Sequence, residues 1–210
     1  VPVIAMDVLY LLGLLATAAF AASGILAAMG TRIDLFGAVV VAVATAIGGG
    51  TVRDLMLDVP VFWLHDPAFM ACAAVTGLLA FLGRAHLDAH GNLLAYLDGM
   101  GVALFASGAF IKSTELGLPP AHALVMGVIT GIGGGLLRDT LTGRETLLVS
   151  PELYATPIIF GLLLQGLATS LAGLSPDLGY AIGAATIVVT RTLAIRYRWR
   201  MPEALINRPR

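Results

Sequence analysis

"AIGGGTVRD" spans Ala46–Asp54, and "GIGGGLLRD" spans Gly131–Asp139. Set at an offset of 85 residues, these stretches superpose Thr45 on Thr130, Ile47 on Ile132, and Gly48, Gly49 and Gly50 on Gly133, Gly134 and Gly135. Arg53 falls on Arg138 and Asp54 on Asp139, making seven identities in the ten columns from Thr45 to Asp54. Upstream, "FAASG" at Phe20–Gly24 answers "FASG" at Phe105–Gly108, one residue shorter. Self-similarity at a fixed period marks a chain built twice from one unit.

The surroundings of the motif set the solvent. Of 210 residues, 58% are hydrophobic and only 12% charged, with a mean hydropathy of +0.92. A soluble domain carries about 25% charged residues, so this is an integral membrane protein. Seven apolar stretches are readable: Val8–Met29, Leu35–Leu57, Pro67–Leu82, Leu93–Ile111, Leu116–Leu137, Leu153–Leu174 and Leu178–Ile195. Most approach the roughly 20 residues that cross a bilayer core as a helix, the third being the shortest. None alternates polar and apolar positions as a barrel strand would, so the expected fold is all-α with seven transmembrane helices. Val1–Asp7 lacks the basic start and cleavage site of a signal peptide, which makes the first stretch a span.

Seven crossings separate the two termini. One face then receives Arg32, Arg84, Arg144 and the tail arginines Arg196, Arg198, Arg200, Arg208 and Arg210, while the other receives Lys112 and little else. The positive-inside rule makes the arginine-bearing face cytoplasmic, with the amino terminus outside. Each repeat holds three spans, residues 8–84 and 93–174, with a seventh helix at 178–196 and a basic tail at 197–210. Because three is odd, the second unit is inverted relative to the first. Inverted repeats with interrupted helices near the midplane are an arrangement of transport proteins.

Each glycine weakens a helix by about 1 kcal/mol relative to alanine, so both triplets invite a kink or an unwound turn. Close helix packing is the commoner use of such residues. The charges add a second constraint. A bare Arg or Asp at the bilayer centre costs about 2.5–3.5 kcal/mol, so Arg53, Asp54, Arg138 and Asp139 are expected to face one another or water. Neighbouring helical residues point about 100° apart, which predicts that neither Arg-Asp pair closes on itself. An aspartate would then line the pathway while its arginine is tied elsewhere; snorkelling to the interface is the plainer alternative. Asp98 is a further embedded charge, where the first repeat has Gly13, and it shares a membrane half with Arg138. The two are expected to pair.

Thr45, Thr130, Ser23 and Ser107 offer hydroxyls to a pore or to their own backbones. Phe20 and Phe105 offer a constriction or ordinary packing. Other chemistries find little support. Cys72 is the only cysteine and excludes an intrachain disulfide. His86 and His90 share an i, i+4 spacing in "HLDAH" without a third ligand, so no metal is expected. The glycine triplets lack the Gly-Lys-Ser/Thr ending of a phosphate loop, and no activated nucleophile is evident, so no enzyme is expected. A net charge of −1 with no basic face speaks against nucleic acid.

The doubled I-G-G-G-x-x-R-D in an inverted seven-helix frame resembles prokaryotic members of the trimeric intracellular cation channel (TRIC) family, across almost the whole chain. The same domain carries the label of a glycine transporter, which supplies the alternative of a secondary carrier for a small solute. The resemblance implies a homotrimer among membrane lipids, with a monovalent-cation pore in every subunit and potassium or sodium as permeant ions. It also implies that helices two and five bend at Gly48–Gly50 and Gly133–Gly135 to line that pore, with no cofactor. The basic pore residues tied to lipid and calcium control in animal relatives have no counterpart here, since the only lysine is Lys112 at a helix end. An arginine-rich, compact chain with short loops points to a prokaryotic plasma membrane. A scaffold whose glycines only pack helices is the reading outside transport.

Overall fold

The computed structural model of the protein describes residues 3–84, 92–149 and 152–202. Eight helices are present among them: α1 (Val3–Ala28), α2 (Leu35–Met56), α3 (Phe62–His65), α4 (Pro67–Leu82), α5 (Leu93–Glu115), α6 (Pro120–Thr142), α7 (Ala155–Ser170) and α8 (Pro176–Tyr197). Five of them (α1, α2, α5, α6 and α8) are long and apolar enough to cross a membrane. The apolar α4 and α7 have 16 residues each, about 24 Å at 1.5 Å per residue, and fall short of a hydrocarbon core of about 30 Å. The seven expected stretches thus resolve into five long helices and two short ones. The third keeps its expected bounds at Pro67–Leu82, the sixth shortens to Ala155–Ser170, and the one-turn α3 lies between the second and third expected stretches. His86, His90, Arg208 and Arg210 lie outside the described residues.

Local chemistry sets the helix ends. Asp34 accepts the Gly37 amide at 2.8 Å to cap α2, and Asp66 accepts Ala68 at 3.0 Å to cap α4, which starts on Pro67. The Ser175 hydroxyl accepts the amide of Leu178 at the start of α8. Gly143, at φ 65°, closes α6 in the left-handed conformation that costs glycine least. Asp58, its counterpart after α2, takes the same conformation at φ 52°.

Packing follows the repeat. α1 lies on α2 and α4, as α5 lies on α6 and α7; the two units join where α1 meets α5 and α2 meets α6. α8 packs on α5 and α7, outside the repeat. The centre is built largely from small side chains, among them Ala21, Ala42, Ala46, Ala103 and Ala106, which let backbones approach closely. Large apolar residues face outward instead: Phe36 is 78% exposed and Leu55 67%. A chain that turns such residues outward on many sides is made for lipid or for other subunits.

Neither glycine triplet unwinds its helix, because α2 and α6 each run unbroken through it. The expected unwound turn is therefore absent, and the reason is tertiary. A Cβ on Gly49 would land on the Thr130 carbonyl oxygen, and one on Gly134 would land on that of Thr45. α2 and α6 cross at these points, each glycine against the carbonyl three residues before its counterpart's triplet. The triplets are where two backbones touch.

Candidate functional site

Four and five residues beyond each crossing stand the arginine and the aspartate. Contrary to expectation, both pairs close on themselves. Arg53 Nε donates to Asp54 Oδ1 at 2.8 Å, and Arg138 Nε to Asp139 Oδ1 at 2.8 Å. The 100° rule fixes where Cβ atoms point, whereas a long arginine stem bends round the helix to bring its Nε to the next side chain.

Each carboxylate also pins the chain that follows. Asp54 Oδ2 accepts the Phe62 amide at 2.9 Å, and Asp139 Oδ2 accepts the Leu147 amide at 3.3 Å, eight residues on in both cases. The Asp54 carbonyl accepts from Val59 and the Asp139 carbonyl from Arg144. Both aspartates are thus spent as loop anchors. Both are buried, and of the first pair it is the arginine that lines a cavity.

Beyond this shared frame the halves diverge. On the face where α8 ends, the tail face, Arg138 is fully buried and its Nη1 donates to Asp98 Oδ1 at 2.6 Å and to the Ser23 hydroxyl at 3.2 Å. The expected Asp98–Arg138 contact is present. At the opposite face, Gly13 stands in the column of Asp98, and Asp54 takes a second cation instead, Lys112 Nζ at 2.7 Å. A cavity of about 770 Å³ opens there, lined by Gly13, Phe105 and the charged Arg53, Lys112, Glu115 and Asp177 among others.

Phe105 stacks on Phe20 at a centroid separation of 5.8 Å, and Phe62 sits edge-on to it at 6.5 Å. Of these rings Phe105 lines the cavity, with Phe20 and Phe62 packed against it. Thr45 and Thr130 are buried and donate to the carbonyls of Val41 and Met126 in their own helices, at 2.6 and 2.7 Å. Ser23 donates to the Phe20 carbonyl at 2.8 Å, while the buried Ser107 hydroxyl has no hydrogen-bond partner among the described residues. Three participants went unread in the sequence. Lys112 looked like a helix end; Tyr154 and Arg191 sit beside the Asp98–Arg138 pair. Arg191 carried a signal, since it is an arginine inside an apolar stretch, but the basic tail behind it masked that signal.

Comparison with known proteins places this geometry. The family model described as "Glycine transporter" matches twice, at residues 10–85 and 95–169, the second match starting 85 residues after the first. The UPF0126 inner membrane protein YadS of Escherichia coli K12 is 36% identical over 200 residues, covering 94% of this chain and 97% of that protein. The UPF0126 membrane protein YvgT of Bacillus subtilis is 33% identical, covering 92% and 95%. Among solved structures, the TRIC trimeric intracellular cation channel orthologue from Rhodobacter sphaeroides superposes with a TM-score of 0.86 at 30% identity, covering 91% of this chain and 99% of that one. A second TRIC cation channel superposes at 0.83 with 27% identity, covering 95% and 98%. The likeness extends over whole chains and carries a multi-pass membrane location with it.

Proposed function

Since the chain belongs to the TRIC trimeric intracellular cation channel family, we propose that it is a monovalent-cation channel, three copies assembling with one pathway inside each. The pathway starts in the cavity of about 770 Å³, whose Glu115 and Asp177 draw cations past Arg53 and Lys112. It meets the Phe105–Phe20 stack, passes between α1, α2, α5 and α6 at the glycine crossing, and leaves beside Asp98, Arg138 and Ser23. Opening requires those rings to part, and the side-chain-free faces of Gly48–Gly50 and Gly133–Gly135 are where α2 and α6 slide or bend with least resistance. Potassium or sodium is the cargo, no cofactor takes part and no reaction is catalysed.

The observation that carries this reading is the cavity's lining, drawn from both repeats and the start of α8, with the buried Arg53 in its wall. All seven apolar helices would traverse the bilayer of a prokaryotic plasma membrane, the short α4 and α7 by local thinning around them, with the tail face, rich in arginine, toward the cytoplasm.

One feature favours the carrier alternative. The space opens to one face and is shut toward the other, as an alternating-access protein is in one of its states. Recording from purified protein in planar bilayers separates the two. Discrete current steps reversing at the potassium equilibrium potential are expected; glycine uptake into vesicles without such steps would establish the carrier instead.

A further inference from the structure

Arg191 of α8 is 2% exposed and lies outside the repeat. One terminal nitrogen donates to the Leu153 carbonyl at 2.9 Å, and the guanidinium carbon stands 4.7 Å from the centroid of the Tyr154 ring. Its Nε and second terminal nitrogen have no hydrogen-bond partner among the described residues, so the face of that ring is what compensates the charge. Leu153 is gripped from its other side too. Its amide donates to the Trp199 carbonyl at 3.3 Å, where the chain beyond α8 forms an antiparallel bridge between Glu152 and Arg200. Both polar groups of residue 153 therefore belong to α8 and its tail.

Tyr154 follows directly and is buried. A Cβ placed on Gly135 would stand 3.1 Å from the Tyr154 hydroxyl, 3.1 Å from Asp98 Oδ1 and 3.6 Å from Arg138 Nη2. Hydroxyl, carboxylate and guanidinium thus converge on one glycine at the tail-face end of the pathway. In the first repeat the column of Tyr154 holds Phe69, packed against Gly13 and the Phe62 ring, with no arginine over it among the described contacts. That end is the open one.

We propose that Arg191 is a positioning residue that holds Tyr154 as the stopper of the tail-face end, so that the segment after α8 governs whether that end is sealed. This rests on the reading of Asp98 and Arg138 as the end of an ion pathway. The guanidinium fixes the ring, the ring covers the Asp98–Arg138 pair, and the Trp199 carbonyl sets the height of the loop that carries Leu153 and Tyr154. Undocking the tail removes one of the two bonds on residue 153 and frees the stopper to swing.

The test uses full-length protein in detergent with Cys72→Ala and a reporter, Ser23→Cys, which lies behind the stopper against Arg138. Its modification by a small hydrophilic thiosulfonate is expected to be slow. Arg191→Gln should speed labelling at least tenfold, Arg191→Lys should return it near the starting rate, and Arg191→Gln combined with Tyr154→Leu should label no faster than Tyr154→Leu alone. Additive rates, or an unchanged rate in a folded Arg191→Gln oligomer, would overturn the proposal. A purely structural arginine would lower the unfolding midpoint and leave labelling where it was. Should Arg191→Gln not fold, Tyr154→Leu carries the same prediction, because it leaves the Arg191–Leu153 bond in place. Labelling needs no current, so failure of the channel reading would show separately, as silent bilayers with the labelling pattern intact.

Discussion

The two halves answer the same sequence motif with opposite electrostatics. At the tail face, Arg138 faces two carboxylates, Asp98 and Asp139, and is sealed from water. At the other face, Asp54 faces two cations, Arg53 and Lys112, and the arginine looks into a cavity. What the halves share is the work of the aspartate on its loop; what differs is the column holding Gly13 in one and Asp98 in the other. The two units therefore share their backbone anchors while the surroundings of the arginine differ, buried against Asp98 in one and lining a cavity in the other.

The sharpest way to break this comparison is to remove the partner on each side. Asp98→Ala leaves a buried guanidinium one carboxylate short and is expected to cost about 3–5 kcal/mol, read as a lowered unfolding midpoint in detergent. Adding Arg138→Met together with Asp139→Asn, which leaves no charge of this cluster unpaired, should recover part of that loss. Gly49→Ala and Gly134→Ala come next, at about 1–3 kcal/mol each, because the added methyl meets a backbone carbonyl that has no rotamer to give. The two losses should be alike; a large inequality would mean that the crossing is not shared.

Lys112→Met tests the open side. The ammonium is 33% exposed and Asp54 keeps Arg53 and the Phe62 amide, so stability should fall by no more than about 1 kcal/mol. Cation current at low salt should rise, since one positive charge leaves the cavity, and the rise should fade as salt screens it. A stability loss equal to that of Asp98→Ala would erase the distinction between the halves. The smallest effect is a gain. Asp58→Gly places in the first repeat the residue type that the second has at Gly143, and relieving the left-handed backbone should raise stability by about 1 kcal/mol or less in thermal melts.

Much of the frame was legible. The doubled motif stands in the sequence itself, and Asp98 and Arg138 had to find partners because an embedded charge is too costly to leave bare. Two features needed three dimensions. The self-closing Arg-Asp pairs depend on where an arginine tip reaches rather than where its Cβ points, and the amides of Phe62 and Leu147 return to the aspartates only through turns set by Asp58 and Gly143. The glycine triplets carried two meanings, and contact with a neighbouring carbonyl is invisible until the neighbour is known. Tyr154 reads as an ordinary loop residue until α8 lays Arg191 on it.

The crossing at Gly49 and Gly134 lies on the axis that exchanges the halves, as does the stack of Phe20 on Phe105. Surfaces on such an axis meet their own counterparts, so a half-length chain bearing one phenylalanine and one glycine triplet already holds both sides of each contact. Fusion then adds something new: once joined, the halves are free to differ, as they do where Gly13 stands against Asp98 and Phe69 against Tyr154.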